Sequence, residues 1–238
     1  MYLSFLVSEF KKIKRDPMML FMLFSPLFYI MIGRFIIPHL AQANDFDVMM
    51  IADYILVGLT LMSPLLYGAL LGFSILDDRD DNILNSIRVS PLSINMFLSF
   101  RILMTLFLSF LSVMAVIYFS DIVIIPFKDI ILIAFLASIS TPLSAFFINV
   151  VANNKIEGFA VMKGFSTVLL IPIIALYFTD YKELFFAIFP GYWPAKIISI
   201  VIRGEDFSFL SYNIYYIIGI MYIIVLNVIV YRLFLKKI

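Results

Sequence analysis

Four closely spaced carboxylates, those of Asp77, Asp78, Asp80 and Asp81, lie between two long apolar runs and make up a quarter of the sixteen acidic residues. Acidic residues at the start of a helix and a basic residue at its end, here Arg88, are both stabilised by the helix dipole. The pattern therefore predicts a short polar helix that starts at the carboxylates.

This predicted helix also has one apolar edge, formed by Ile83, Leu84 and Ile87. A helix that is apolar on one edge and charged on the other is suited to docking against another protein. A solvated connection whose charges only keep it out of a bilayer fits the same pattern, and the residues alone do not separate the two. Ser90 is suited to be an N-cap, with Pro91 at the first position of the next helix.

Residues for catalysis are scarce. The sequence has no cysteine, which excludes thiol catalysis and cysteine metal sites. Its one histidine, His39, follows Pro38 in a predicted outer loop, and neither H-E-x-x-H nor G-x-S-x-G occurs. An enzyme embedded in the membrane is therefore a poor fit. The G-x-x-x-x-G-K-[ST] loop that binds nucleotide phosphates is also missing.

The composition is that of a membrane protein, with 63% hydrophobic and 14% charged residues and a mean hydropathy of +1.07. A spanning helix needs roughly 20 mostly apolar residues. Six segments qualify: 18–37, 54–76, 97–119, 130–151, 164–178 and 212–235. We therefore predict an all-α integral membrane protein with six transmembrane helices in one domain, residues 1–238.

The distribution of positive charge predicts the orientation. With six spans, both termini share a side with the second and fourth connections, and that side holds eleven of the seventeen Lys and Arg residues. The opposite side holds four: Lys128, Lys182, Lys196 and Arg203. Both termini are therefore predicted to be cytoplasmic in a plasma membrane. Arg34 and Arg101 lie near span ends, where long side chains can reach the headgroups. The net charge of +1 does not indicate a nucleic-acid partner.

Residues 1–16 are basic and show a helical pattern. The apolar residues recur at helical spacing: Leu3, Leu6, Phe10 and Ile13. This predicts an interfacial helix on the inner leaflet of the lipid bilayer, ending at Asp16-Pro17. A solvated basic tail is the alternative.

Several spans contain residues that can bend a helix or let two helices approach closely. The pathway and hinge candidates are Pro26, Gly58, Ser63, Pro64, Gly68 and Pro172, and Gly72 follows in the same span as Gly68. Ordinary packing is the preferred interpretation for each residue alone, and a functional role is preferred for the second span as a whole. Asn149 and Asn227 are predicted to cross-link helices. Ionisable residues are almost absent from mid-span, which argues against a proton-coupled carrier.

The connection before the sixth span, residues 180–210, is mostly apolar and is interrupted by prolines. It is predicted to form two short re-entrant helices that dip into the outer leaflet. Tyr192 and Trp193 would then lie at headgroup depth. We interpret Pro190, Tyr192, Trp193 and Pro194 as candidates for an outer gate.

The stretch "DDRDDNILNSIRVSPLSINMFLSFR" resembles the coupling segment of the permease subunits of type-2 ABC exporters. Asp80 and Asp81 match the acidic cluster of that family, and Leu84 and Ile87 match its apolar positions. Ser90-Pro91-Leu92-Ser93 matches the Ser/Thr-Pro-Leu-Ser corner of the family, and Arg101 stands where the family has a lysine. Asn82 and Asn85 replace the usual glycine and glutamate. "KKIKRDPMMLFMLFSPLFYIMI" is similar to the N-terminal elbow helix and first span, and "FPGYWPAKIISIVIRGE" to the segment before the sixth span.

The resemblance implies a bacterial permease without ATPase motifs of its own. A cytoplasmic ATP-binding subunit would hold ATP and Mg²⁺, so this chain itself would need no cofactor. That subunit would contact the cytoplasmic coupling segment, residues 77–93, through seven residues: Asp80, Asp81, Leu84, Ile87, Arg88, Ser90 and Pro91. A second permease copy, identical or paralogous, would complete a dimer that encloses the pathway.

An apolar pathway suits a hydrophobic or amphipathic substrate, such as a peptide or toxin, a drug or a lipid-like molecule. An ATP-independent carrier or channel is the main alternative function. Inverted repeats would favour a carrier, and the sequence contains no clear internal repeat.

Overall fold

The computed structural model describes residues 2–81, 83, 94–168 and 171–237, and all regular structure within these ranges is helical. Six helical segments are long and apolar enough to cross a membrane, which confirms the predicted fold class. They are spans 1 to 6: Pro17–Ala43, Val48–Asp80, Met96–Phe119, Phe127–Val151, Lys155–Ala175 and Tyr212–Leu235. The α-helices are α1 (Tyr2–Arg15), α2 (Pro17–Met31), α3 (Ile37–Ala43), α4 (Ala52–Asp80), α5 (Ile94–Phe119), α6 (Phe127–Ser138), α7 (Thr141–Val151), α8 (Lys155–Val168), α9 (Ile171–Ala175), α10 (Tyr192–Arg203) and α11 (Tyr212–Leu235).

The N-terminal helix and the first span meet at a corner formed by Asp16. The Asp16 side chain caps α2 by accepting hydrogen bonds from the amides of Met18 (2.9 Å) and Met19 (3.2 Å). Pro17 occupies the first position of α2, where its missing N–H is not needed. The predicted end of the N-terminal helix is confirmed, and its position on the membrane surface stays a prediction.

Span 1 continues through a π-helical turn, Ile32–Ile36, into α3. His39 therefore lies on a helix, and the prediction that it lies in a loop is wrong.

Span 5 begins at Lys155, earlier than the predicted start at residue 164. The amide of Glu157 donates to the side chain of Asn154 (3.0 Å), and the Glu157 carboxylate accepts from the amide of Asn153 (2.8 Å). Such reciprocal capping starts a helix. The prediction was too late because Glu157 and Lys163 interrupt the apolar run.

Span 2 is the centre of the bundle. Its helix α4 packs against α2, α5, α7, α8 and α10, and most of its residues are buried. Gly68 permits the closest approach, because a Cβ added there would lie 2.6 Å from both the Ser144 Cβ and the Thr141 carbonyl oxygen of α7. A Cβ at Gly72 would lie 3.2 Å from the Ala145 carbonyl oxygen. The predicted close helix approach through small residues is confirmed at these two positions.

Span 4 is broken between α6 and α7, just before Pro142. The carbonyl of Ile139 at the break accepts a hydrogen bond from the side chain of Asn227 in α11 (2.9 Å). Asn149 in α7 donates to the carbonyl of Gly72 in α4 (3.0 Å). Both asparagines cross-link helices, as predicted, because neighbouring helices must satisfy polar groups that lipid cannot.

Both chain ends lie at the same end of the bundle. Lys237 follows α11 and donates to the carbonyls of Val150 (3.0 Å) and Ala152 (2.9 Å), where α7 ends. Lys155, which starts α8 beside them, contacts Asp16 at the start of span 1. The regions next to the two termini therefore lie close together, and the placement of both termini in the cytoplasm stays a prediction.

The surface of the bundle is apolar. Spans 1, 5 and 6 are largely exposed, and large side chains such as Phe21, Phe24, Leu27 and Met221 point away from the protein. A continuous apolar surface of this kind is stable in contact with lipid or with another subunit, and it is unfavourable in water.

Gly68→Ala is expected to lower the free energy of unfolding by about 1–3 kcal/mol, because the added methyl group meets rigid backbone. Gly58→Ala in the same helix is the matched control: a Cβ there would meet only the flexible end of Ile173, at 3.7 Å. The control should be neutral or slightly stabilising, since alanine favours helix. Denaturant unfolding of the detergent-purified chain measures both. Equal stability of the two variants would contradict the packing role of Gly68.

Candidate functional site

The acidic residues of the coupling segment belong to the end of span 2. Asp77, Asp78 and Asp80 lie in the last turn of α4, and the amide of Asp81 closes that turn by donating to the carbonyl of Asp77 (2.9 Å). The prediction that these carboxylates start a new helix is therefore wrong. The helix dipole disfavours carboxylates at this end, so cations must stabilise them.

Two of these cations come from other helices. Lys12 of α1 lies 2.7 Å from one carboxylate oxygen of Asp78, and Arg101 of α5 forms an ion pair with the other. Arg101 Nε also donates to Glu9 of α1 (2.9 Å). We call Glu9, Lys12, Asp78 and Arg101 the charged junction. It joins α1, α4 and α5 at the end of the bundle that carries the termini.

The charged junction is largely shielded from solvent. Arg101, Asp78 and Glu9 are buried, while Lys12 keeps about a quarter of its side-chain surface exposed and also donates to the carbonyl of Ser74 (2.8 Å). The guanidinium of Arg101 lies 4.2 Å from the centre of the Phe97 ring. Two carboxylates and two cations balance one another, as buried charges require. Removing one partner of a buried pair costs about 3–5 kcal/mol, because it leaves an uncompensated charge.

A second group of charges lies beside the charged junction. Lys155 at the start of α8 forms ion pairs with Asp77 (3.1 Å) and with Asp16. Burial acts to raise the pKa of Asp16, but the hydrogen bonds from Lys155 and from the amides of Met19 and Met18 outweigh it, so that the pKa lies below its ordinary value. Asp16 is therefore ionised at neutral pH, and span 5 is tied to the same corner as α1 and α4.

The charged junction was only partly foreseen. Arg101 was expected to reach the headgroups. Its side chain is instead held inside the protein by Glu9 and Asp78. An arginine within an apolar run indicates a buried partner, and this signal could have led to Asp78. Glu9 is the only acidic residue of α1, but nothing in the sequence identifies Arg101, 92 positions away, as its partner.

The predicted contact residues for an ATP-binding subunit are mostly outside the described residues. Asp80 and Asp81 are described, and both are exposed. Five others lie outside: Leu84, Ile87, Arg88, Ser90 and Pro91. The charged junction therefore defines how this segment is anchored at α4 and α5, and the contact itself stays a prediction.

Most of the pathway and hinge candidates are buried inside the helix bundle. Pro26, Ser63, Pro64, Gly68 and Pro172 are buried, and Gly58 is half-buried. Pro64 of span 2 borders the same narrow cavity as Pro190 of the 180–210 segment. The structure thus brings one hinge candidate together with one gate candidate.

The 180–210 segment contains three short helices: the 3₁₀ helix Tyr181–Ile188, α10 and the 3₁₀ turn Glu205–Phe207. Whether any of them dips into the outer leaflet, as predicted for two helices, stays a prediction. Tyr192, Trp193 and Pro194 are buried, and Pro190 is half-buried. Neighbouring helices cover both aromatic rings, and their depth in the membrane stays a prediction. Trp193 packs so closely on Gly219 of α11 that a Cβ added to that glycine would lie 2.7 Å from the Trp193 Cβ.

Buried ion pairs hold this segment in place. Lys196 of α10 pairs with Glu183 of the 3₁₀ helix, and both are fully buried. Burial raises the pKa of the Glu183 carboxyl, and Lys196 offsets part of that rise. Arg203 at the end of α10 lies 2.7 Å from Asp53 at the start of α4, and Ser199 donates to the same carboxylate (3.1 Å). The segment is therefore fixed to span 2 by charge.

Comparison with known proteins identifies the family of this chain. A profile described as "Fluoroquinolones export permease protein Rv2686c-like" matches residues 9–231. The fluoroquinolones export permease proteins Rv2686c and MT2760, from two strains of Mycobacterium tuberculosis, are each 25% identical over 189 residues, covering 76% of this chain and 75% of theirs. No solved structure matches the chain. The resemblance to type-2 ABC exporter permeases is thereby confirmed, and the chain belongs to the Rv2686c-like family of multi-pass export permeases.

Proposed function

We propose that this permease is the membrane subunit of an ATP-driven exporter, and that a separate ATP-binding subunit docks on its coupling segment from the cytoplasm. The observation that carries the proposal is the charged junction. It holds the end of α4 and the beginning of α5, on either side of the coupling segment, and ties both to α1. With this orientation, both termini are cytoplasmic.

Energy would reach the pathway through this contact, because the sequence contains no phosphate-binding loop of its own. ATP and Mg²⁺ would be bound by the partner subunit. Its closure would push the coupling segment, and the ion pairs of Asp78 with Lys12 and Arg101 would make α1, α4 and α5 move together. Since α4 is the most central helix, its displacement would reach the spans packed around it.

The exposed face of span 5 supports a partner copy. Ala160, Lys163, Gly164 and Thr167 are exposed at helical spacing, and no atom lies within 4 Å of where a Cβ at Gly164 would be. Small and polar residues on a span surface favour helix–helix contact over contact with lipid. We infer that a second permease copy, identical or paralogous, covers this face and that the pathway lies between the two copies.

The substrate would be an amphipathic aromatic drug. The two named relatives are described as exporters of fluoroquinolones. Two buried charged residues of the spans, Asp53 and Arg101, are held in ion pairs near the ends of the bundle. An apolar route of this kind suits a molecule with a large apolar surface, and it also admits lipid-like compounds.

Ile87→Asp and Ser90→Tyr are expected to prevent binding of the ATP-binding subunit, because a charge on the apolar edge or a bulky ring at the corner disrupts a close contact. Loss of one central contact of ~2 kcal/mol weakens binding roughly 30-fold. Co-purification with the wild-type partner subunit and ATP-dependent norfloxacin uptake into inverted vesicles measure the effect. Lys182→Gln, in an exposed ion pair at the other end, is the control. Unchanged binding and export in both test variants would contradict the proposed docking site, and export without ATP would favour an independent carrier.

Arg101→Leu is expected to lower the free energy of unfolding by about 3–5 kcal/mol, because Glu9 loses its buried cation and Asp78 keeps only Lys12. Arg101→Lys keeps the charge but cannot pair with both carboxylates through a planar fork. Its stability should fall by about 1 kcal/mol, while drug-stimulated ATP hydrolysis of the complex decreases. Denaturant unfolding and ATPase assays separate the two effects. Two variants as stable and as active as the wild type would show that the charged junction has no coupling role.

A further inference from the structure

A pocket of about 360 Å³ opens at the end of the bundle opposite the charged junction. It lies between span 1 and the connection from span 3 to span 4. Arg34 of span 1 and Asp121, two residues after α5, are its charged residues, and Ile117 and Ile130 form part of an apolar wall. This volume is typical of sites that bind a small molecule or part of a larger one. We call it the Arg34 pocket.

Two irregular backbone segments meet at the Arg34 pocket. Arg34 lies in the π-helical turn Ile32–Ile36, where the amide of Ile37 donates to the carbonyl of Ile32. Asp121 has a left-handed backbone with φ of 57°. A π-helical turn adds one residue to a helix and so redirects the side chains that follow, and such turns and strained residues concentrate at functional sites. Both irregularities place a charged side chain at the same opening.

The two charges of the Arg34 pocket are available to a ligand. Arg34 Nη2 lies 3.8 Å from Asp121 Oδ2, and the side chains are 48% and 64% exposed. An exposed pair at this separation contributes little stability. Each group can therefore exchange its partner for an opposite charge on a bound molecule. A ligand that carries an anion and a cation a few ångströms apart would satisfy both.

The position of the Arg34 pocket points to the lipid headgroup layer. Arg34 follows Pro17 by seventeen residues, or roughly 26 Å of helix, which is close to the ~30 Å thickness of the hydrocarbon core. Ile124 in the connection between spans 3 and 4 is 94% exposed. Such an apolar loop is favourable against lipid and unfavourable in water. Tyr118, an amphipathic ring typical of the membrane interface, also borders the pocket.

We propose that the Arg34 pocket binds the headgroup of phosphatidylethanolamine. The phosphate would accept hydrogen bonds from the Arg34 guanidinium, and the ammonium group would donate to Asp121. An acyl chain would lie against the apolar wall at Ile117 and Ile130. Phosphatidylcholine carries the same phosphate, but its quaternary nitrogen has no N–H to donate. The pocket should therefore discriminate between these lipids, and this assignment does not depend on export or on an ATP-binding subunit.

Native mass spectrometry of the full chain in detergent tests the proposal, with phosphatidylethanolamine and phosphatidylcholine of identical acyl chains as probes. The wild type is expected to bind phosphatidylethanolamine about fivefold more tightly than phosphatidylcholine. One additional exposed hydrogen bond between charged groups provides a difference of this size. Asp121→Asn should weaken the binding of phosphatidylethanolamine more than that of phosphatidylcholine and so reduce this preference, because the acceptor of the ammonium hydrogen bonds loses its charge. Arg34→Gln should weaken the binding of both lipids about fivefold, and Arg34→Lys should restore most of it.

The exposed ion pair of Lys182 and Asp180, 3.3 Å apart, provides matched controls. Lys182→Gln and Asp180→Asn should leave the binding of both lipids unchanged, and thermal unfolding of every variant verifies that it is folded. Equal binding of the two lipids by the wild type would overturn the proposal. The same conclusion follows if Asp180→Asn changes the lipid preference as much as Asp121→Asn does.

Discussion

The guanidinium of Arg101, held between Glu9 and Asp78, is the constraint on which the end of the bundle with both termini depends. Removing these charges from water is unfavourable, so the arrangement is stable only while all partners stay in place. A planar guanidinium with several donors can pair with two carboxylates at once. Helices α1, α4 and α5 are thus coupled more strictly than apolar contacts would couple them, because sliding one helix would expose an unpaired charge.

The same helix α4 is fixed at both of its ends. Asp78 pairs with cations at one end, and Asp53 pairs with Arg203 at the other. Between them, Gly68 and Gly72 bring α7 into backbone contact, and Asn149 adds a hydrogen bond across that contact. A helix that is close-packed along its length and ion-paired at each end resists independent displacement of either end. It can therefore carry a displacement from the coupling segment to the 180–210 segment, which supports its role in the proposed function.

The features that could be predicted from the sequence are those that depend on residues close together along the chain. Span 6 was placed at its observed ends because its apolar run is bounded on both sides by polar residues, and Asn149 and Asn227 were assigned correctly because a polar group in a span has few options other than a neighbouring helix. The pairings of the charged junction were not predicted, because Arg101 lies 23 positions from Asp78 and 92 from Glu9 and only the fold brings them together. The burial of Tyr192 could not be predicted for a related reason, since a tyrosine has the same amphipathic chemistry in a buried cluster as at an interface.

Burial divides the ion pairs of this permease into two kinds with different uses. The pairs of Arg101 and Lys196 are buried, so their geometry is fixed and they serve to position helices. The pair of Arg34 and Asp121 is exposed and longer, so water screens it and it has little hold on the fold. Weak internal pairing leaves both groups free to bind a molecule from outside. The end with the charged junction is therefore suited to the coupling role proposed for it, and the opposite end is suited to bind the proposed lipid headgroup.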